Sequence, residues 1–234
     1  VDISDTGSTN AGTFAEPYNS QATVEGEWNS AASGTRYCFK SGVNHGAGWV
    51  LTPSNTISVF PSGKDATTEH AKFASVTEYD DTLTGWTASG NEYYISQASS
   101  PIVVIEDGRR LYGNCDANVS SSSPDYYAEA VTFGLVPVAG SLAAGEWAWD
   151  SVTTRLYFRP RGDTVTGKTF EVGLSAAVPF KVVDGGSCTI YGLECYGSAD
   201  VNALLFFQGD SNGMRIWNNV AHSGGKRGVS IGDN

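Results

Sequence analysis

The sequence predicts an all-β protein whose last quarter consists of short stacked repeats. Of 234 residues, 28 are Gly, 1 is Met and 12% are aromatic, which suits turn-rich β-structure better than helices. From Phe180 to Asn234, runs of alternating apolar and polar residues are separated by Gly, Asn, Asp and Ser, as in strands joined by turns. Shifting this stretch by 26 positions places Ile190 on Ile216. A period of that length indicates a chain that coils through stacked turns.

The same shift predicts which residues lie side by side in successive repeats. It places Gly192 on Asn218, Gly197 on Ser223, Ala203 on Val229 and Leu205 on Ile231. Asn tolerates left-handed backbone, so we expect the pair Asn218-Asn219 at a corner between two strands.

Three phrases in this stretch resemble the repeat of the right-handed parallel β-helix family. They are Thr189–Cys195 (TIYGLEC), Arg215–Val220 (RIWNNV) and Gly228–Gly232 (GVSIG). The fold occurs in pectate-lyase-like and alginate-lyase-like polysaccharide lyases, in some glycoside hydrolases and in phage tailspikes. The resemblance implies that this chain is the N-terminal part of such a β-helix. By the same resemblance Ca²⁺ is a cofactor to consider, although the sequence does not let us place its acidic ligands.

Residues 1–73 are predicted to hold an N-terminal cap and the first repeats. The segments Ala15–Tyr18 and Gly34–Gly42 resemble the opening of secreted β-helix proteins, with Thr35 in place of the usual acidic residue. A short helix is expected within Gln21–Ala32, where it would cover the end of the coil. Strands are expected where Tyr37 and Phe39 alternate with polar residues, and over Thr56–Phe60.

Residues 74–179 are predicted to form an inserted antiparallel β-module, because this segment is rich in hairpin signals. Pro101–Tyr112 contains an Asp-Gly turn between two strands. Glu146–Asp150 is expected to pair with Arg155–Arg159, and Gly167–Leu174 adds a strand with Phe170 and Val172 on one face. The segment Gly145–Pro160 resembles a small module of secreted and phage-borne β-helix proteins, and its Trp residues are expected in the core.

Residues 180–234 are predicted to be further repeats of the coil. The sequence stops at Gly232-Asp233-Asn234, one strand into a repeat. An open end exposes strand edges that favour aggregation, so we expect more repeats, a partner chain or additional sequence to follow.

The charge and apolar content of the sequence limit the partners and the location that we expect. The net charge is −11 and no Lys/Arg cluster exceeds two residues, which argues against a nucleic-acid partner. The acidic surface also disfavours acidic polysaccharides unless a basic patch or a cation offsets it. No segment is apolar enough to span a membrane, and we expect a secreted, extracellular or virion-surface protein whose leader was removed or whose sequence is an excerpt.

The four cysteines are Cys38, Cys115, Cys188 and Cys195. None forms a Cys-x-x-Cys pair, so a structural zinc site is not expected. Three disulfide pairings are open, and Cys188 and Cys195 are expected to be free and buried.

The candidate binding residues project outward from the predicted repeats. If Ile190 and Ile216 point inward, Tyr191 and Trp217 point outward, one above the other, as a platform for sugar rings. The alternative is that these two rings are covered by the inserted module or by a neighbouring chain. Arg215 and Glu194 are expected near the same face. No catalytic set is assigned: the histidines at 45, 70 and 222 are scattered, and Lys226 and Arg227 lie in a glycine-framed turn.

Two functions remain open at this point. The first is a protein that engages polysaccharide, of polysaccharide lyase or glycoside hydrolase lineage. The second is a non-catalytic structural or receptor-binding protein, such as a phage tail fibre, a tailspike or an extracellular filament subunit, assembled as a homotrimer or in another way.

Overall fold

Over the residues that it describes, the computed structural model shows a predominantly β chain with one short α-helix. It describes residues 1, 18–53, 55–62, 70–101, 103–114, 137–174, 177–184, 188–197, 203–209, 213–222 and 227–232. In chain order the elements are α1 (Gln21–Trp28), β1 (Arg36–Phe39), β2 (Trp49–Leu51), β3 (Ser58–Pro61), β4 (Ala71–Ala74), β5 (Val76–Tyr79), β6 (Thr87–Ser89), β7 (Glu92–Ser96), β8 (Val103–Glu106), β9 (Arg109–Arg110), β10 (Tyr112–Asn114), β11 (Glu146–Asp150), β12 (Arg155–Arg159), a 3₁₀ turn (Arg161–Asp163), β13 (Phe170–Gly173), β14 (Phe180–Val183), β15 (Thr189–Tyr191), β16 (Leu193–Tyr196), β17 (Ala203–Gln208), β18 (Arg215–Trp217), β19 (Val220–His222) and β20 (Arg227–Ile231).

The chain divides into two compact units. Unit 1 comprises Val1–Ser75 and Ala176–Asn234, and unit 2 comprises Val76–Ser175. Segments 2–17 and 115–136 contain predicted features, namely most of the opening segment Ala15–Tyr18 and Cys115. These features lie outside the described residues, as do Ser223 and Lys226.

Unit 1 is built from three small parallel sheets. Their strand orders are β1-β3-β15-β18, β2-β14-β17-β20 and β4-β16-β19, and every pairing among these strands is parallel. From β14 onward the chain visits the second, first and third sheet in turn and repeats that order through β20. Successive strands on one sheet therefore come from successive repeats of the chain, as the periodicity predicts.

The 26-residue shift is confirmed for two of the three sheets. It pairs Ile190 with Ile216 and Cys195 with Ala221. Asn218 has a φ of 52°, the left-handed backbone expected of a corner residue.

The shift is wrong for the sheet β2-β14-β17-β20, where Leu205 pairs with Val229 and Phe207 with Ile231. Six residues separate β16 from β17 but only four separate β19 from β20, so the later repeat is two residues shorter. An even change leaves the same residues on the inner face, and the shorter repeat therefore does not disturb the alternation.

The core of unit 1 is rich in aromatic rings. Helix α1 begins at the N-cap Ser20, whose Oγ accepts a hydrogen bond of 3.3 Å from Thr23 N, and it ends four residues earlier than the predicted limit of Ala32. It buries Val24 and Trp28 fully. The Trp28 ring packs edge-on against Trp49, with the ring centroids 5.6 Å apart. The helix therefore contributes its apolar side to the core of unit 1.

Unit 2 contains two further sheets, with strand orders β10-β11-β12-β7-β6 and β5-β13-β8-β9. The predicted hairpins are confirmed: β8 pairs with β9 across Asp107-Gly108, and β11 pairs with β12. Phe170 and Val172 are both buried, on one face of β13 as expected. Trp147 lies in the core as predicted, whereas Trp149 is only half-buried.

The prediction of a wholly antiparallel module was wrong at one edge, where β10 runs parallel to β11. Parallel neighbours need a connection of a dozen or more residues, and residues 115–145 provide one. A hairpin signal in sequence reports only adjacent strands, so it does not reveal this pairing.

The structure describes three of the four cysteines, and all three are free. Cys188 and Cys195 are fully buried in the core of unit 1. Burial raises the pKa of both thiols, since a thiolate is costly to desolvate. The two residues act as small apolar side chains, as expected from sequence.

Candidate functional site

The aromatic ladder, which we define as Tyr191 and Trp217, lies on the sheet formed by β1, β3, β15 and β18. The two residues are direct partners across β15 and β18, and their ring centroids are 5.5 Å apart with an interplanar angle of 54°. Their neighbour Ile190 is completely buried, so alternation directs both rings away from the core. Trp217 is 48% exposed, and Tyr191 is half-buried.

Arg215 lies on the same strand as Trp217 and two residues before it. Residues two apart along a strand share a face, so the Arg215 side chain emerges beside the ladder. It is exposed, and its strand partner is Thr189. The structure therefore places a cation beside the two rings.

Glu194 does not lie with these three residues. It belongs to β16, which pairs with β4 and β19 in a different sheet. Positive φ angles at Gly192 (68°) and Asn218 (52°) turn the chain between the two sheets. The expectation that Glu194 lies near the face of the ladder was therefore wrong, because a corner separates Tyr191 from Glu194.

The corner is fixed by Asn219. Its Oδ1 accepts a hydrogen bond of 2.9 Å from Leu193 N, and its Nδ2 donates one of 3.1 Å to the Ile190 carbonyl. One amide side chain thus joins one repeat to the next on both sides of the corner. This contact holds the ladder strand at a defined position relative to β16.

Glu194 instead forms a cluster with His222, Tyr196 and Lys72, which we call the Glu194 cluster. Glu194 Oε1 lies 2.8 Å from His222 Nε2, and since a carboxylate only accepts, Nε2 carries the proton. The imidazole stacks on Tyr196 with centroids 5.1 Å apart and an angle of 6°. Lys72 is the direct partner of Glu194 on β4.

The Glu194 carboxylate is stabilised in its charged form. The hydrogen bond from His222 lowers its pKa below the usual 4.5, opposed by partial burial and assisted by the positive charge of Lys72. Side-chain exposures of 31% for His222 and 22% for Glu194 leave both groups in reach of solvent.

Sequence reasoning missed the Glu194 cluster because it treated His222 as an isolated histidine. The signal was available in the same 26-residue shift, which places His222 on Tyr196 as the structure does. What the sequence could not give was the diagonal contact from His222 to Glu194, since it depends on side-chain rotamers.

The described residues do not gather a calcium site. Among them no group of three or more His, Cys, Asp or Glu side chains is placed to hold a metal ion. The acidic ligands implied by the β-helix resemblance are therefore not assembled in the described part of the chain.

The fold defines an all-β protein built from several small parallel and antiparallel sheets. Among solved structures, a protein described as a glycoside hydrolase matches this chain with a TM-score of 0.53 at 10% sequence identity. The match covers 85% of this chain and 48% of the other, so the chain spans about half the length of that structure. No protein-family model matches the sequence, and no curated protein is significantly similar to it. At this identity the likeness shows the fold alone. No helix within the described ranges is long and apolar enough to cross a membrane.

Proposed function

We propose that this protein binds polysaccharide by stacking sugar rings on the aromatic ladder of Tyr191 and Trp217. The observation that carries the proposal is the exposed indole of Trp217 next to the ring of Tyr191. The strand of Tyr191 is held in place by its neighbour Ile190, which is buried in the core. Aromatic faces cover the apolar faces of pyranose rings, and polar edges then bind the hydroxyls. Arg215 supplies donors beside the rings.

The proposal includes the architecture and lineage of the chain. Unit 1 is taken to be the N-terminal part of a right-handed parallel β-helix, supported by three parallel sheets that the chain visits in a repeating order. We also propose a polysaccharide lyase or glycoside hydrolase lineage. The solved structure described as a glycoside hydrolase supports only the coarser part of this, a carbohydrate-active protein. We place the protein outside the cell or on a virion surface, where polysaccharides are found. No catalytic residue is assigned.

The charge of the chain favours a neutral polysaccharide. A net charge of −11 repels polyanions over the range of the Debye length, and the positive charge of Arg215 offsets only a small part of it. We therefore expect neutral glycans to bind more tightly than polyuronates, and the difference to shrink as salt is added.

The test is affinity electrophoresis through gels that contain neutral or acidic polysaccharides, comparing the intact chain with Trp217→Ala. Aromatic contacts contribute about 0.5–1.5 kcal/mol, so the variant should bind about 2-fold to 13-fold more weakly. Tyr112→Ala is the matched control, because Tyr112 is an aromatic residue of unit 2 that is 61% exposed. Equal retardation of all three proteins by every glycan would refute the proposal.

The alternative is a non-catalytic structural or receptor-binding protein that self-assembles, such as a tail fibre, a tailspike or a filament subunit. It is favoured by one observation: the side chains of Val229 and Ile231 on β20 are 50% and 69% exposed, and apolar side chains on an outer strand favour association. Sedimentation of the intact chain and of a Val229→Thr/Ile231→Thr variant distinguishes the two functions. A trimer or larger species that the variant loses would favour assembly over glycan binding.

A further inference from the structure

Unit 2 contains a polar cavity that the aromatic ladder does not use. Its volume is about 430 Å³, and its lining includes Ser89, Asn91, Glu92, Ser141 and Arg159. One wall is the two-residue turn between β6 and β7, where Gly90 has a φ of 64°. The other wall is the turn at 140–142. We call this space the hairpin cavity.

The two walls are joined by a buried carboxylate. Glu92 is 7% exposed, and its Oε2 and Oε1 accept hydrogen bonds of 2.9 Å from Gly140 N and 2.8 Å from Leu142 N. These bonds hold the turn at 140–142 against the β6–β7 hairpin. The cavity is therefore formed before a ligand arrives, which reduces the entropy cost of binding.

Arg159 forms the cationic side of the cavity and is also held in place. Its Nη1 donates to the Leu142 carbonyl at 2.8 Å. Its Nε and Nη2 donate to the two carboxylate oxygens of Asp163 at 2.7 and 3.1 Å. A guanidinium has five N–H groups and a carboxylate about four acceptor positions, so these contacts leave donors on Arg159 and acceptor positions on Glu92 for a ligand.

We propose that the hairpin cavity binds one or two neutral sugar residues, whose adjacent hydroxyl groups lie between the acceptors of Glu92 and the donors of Arg159. Each sugar hydroxyl both donates and accepts, so an anchored carboxylate beside an anchored guanidinium matches a vicinal diol. A carboxylate or phosphate group on the ligand would be repelled by the Glu92 carboxylate. The volume lies within the range of small-molecule sites.

The same sheet face continues the site along the strands. Glu92 and Tyr94 are two residues apart on β7, and Tyr157 and Arg159 are two apart on β12, so all four side chains share a face. Tyr94 and Tyr157 are direct partners, with ring centroids 5.3 Å apart. Arg155 lies over the Tyr94 ring, 4.7 Å from its centroid, so a ligand longer than two sugars would meet this guanidinium next.

This inference rests on the proposed function, since it names a second site for the same class of ligand, but it is tested separately. The experiment titrates the intact chain with unlabelled neutral monosaccharides and disaccharides and follows binding by saturation-transfer NMR and calorimetry. Asn91 and Ser141 also line the cavity from exposed turn positions, and in the proposed site each makes one hydrogen bond to a further hydroxyl of the sugar. The variant Asn91→Ala/Ser141→Ala removes these two bonds. Ser99→Ala/Ser151→Ala is the control, because it removes two exposed hydroxyls elsewhere in unit 2.

The expected result is that at least one neutral sugar binds the intact chain and that the cavity variant binds it about 10-fold more weakly, as the loss of two neutral hydrogen bonds predicts. The control and Trp217→Ala should bind that sugar as the intact chain does. Binding that is lost in Trp217→Ala but unchanged in the cavity variant would overturn the cavity proposal and leave the ladder. Absence of binding by every neutral sugar at millimolar concentration would overturn it as well, whereas binding of polysaccharide through the ladder alone would still support the proposed function.

Discussion

Gly113→Ala provides a sharp test of the packing in unit 2. Gly113 on β10 is the direct partner of Trp147 on β11, and the indole lies against the glycine. A Cβ added at Gly113 would lie 1.8 Å from both Cε2 and Nε1 of Trp147. Contacts below 3.0 Å are essentially never seen for real Cβ atoms, so either the ring or β10 must move by more than ~1 Å.

The ring has little room to move. Trp147 is completely buried, in a cluster that includes Leu156 and Phe158. Overpacking of a well-packed core lowers the free energy of unfolding by about 1–3 kcal/mol. Because the indole is rigid, we expect a loss of ~3 kcal/mol for Gly113→Ala. For a unit of this size each kcal/mol lowers Tm by about 4–8 °C, so we expect Tm to fall by about 12–24 °C.

The measurement is thermal unfolding of the intact chain by circular dichroism, with hydrogen exchange to locate the change. Amides of β11 and β12 should exchange faster in Gly113→Ala. The control is Gly26→Ala: Gly26 lies inside α1, and a Cβ there meets nothing within 4 Å. Gly26→Ala should raise the free energy of unfolding by about 0.5–1 kcal/mol, because Gly is less favourable than Ala inside a helix. An unchanged Tm in Gly113→Ala, or equal losses in both variants, would refute the packing argument.

Three further predictions concern unit 1. Trp28→Ala should lower the free energy of unfolding by about 3–5 kcal/mol, because the fully buried ring packs on Trp49; a loss below ~1 kcal/mol in urea denaturation would contradict this. Asn219→Ala should lower the free energy of unfolding by about 1–3 kcal/mol and accelerate hydrogen exchange of the Leu193 amide, whose hydrogen bond is removed. Unchanged protection of that amide would show that the contact is not formed. Glu194 has a lowered folded-state pKa, so its stabilisation is complete above the unfolded value of about 4.5 and is lost as the pH falls through the folded pKa. The stability difference between the intact chain and Glu194→Gln should therefore shrink below pH 4.5, and a difference that stays constant from neutral pH to strong acid would contradict the assignment.

Much of the strand content was predictable because it rests on alternation and turn chemistry. The hairpin of β11 and β12 and the side-by-side placement of Ile190 and Ile216 follow from local pattern and a repeat. The parallel pairing of β10 with β11 was not predictable, because it depends on a long connection. The change of register at Leu205 was missed since a repeat with unequal loops has no fixed period.

The candidate sites were less predictable than the fold, for a physical reason. Inward positions such as Ile190 are constrained by burial, so their chemistry repeats and is visible in the sequence. Outward positions carry no such constraint: the partner of Tyr191 is Trp217, whereas the partner of Glu194 is Val220.

Because the outward positions are free to vary, the residues that bind a ligand lie where the periodic signal is weakest. Periodicity correctly gave the position of Trp217 but not the corner that separates it from Glu194. In unit 2 the hairpin cavity has no periodic signal, since Glu92 and Leu142 are 50 residues apart and are joined by a backbone-to-carboxylate hydrogen bond. A site of that kind is defined by tertiary hydrogen bonds. The binding measurement on Trp217 therefore tests a site placed by the sequence repeat, whereas the measurement on the cavity residues tests a site formed by tertiary contacts.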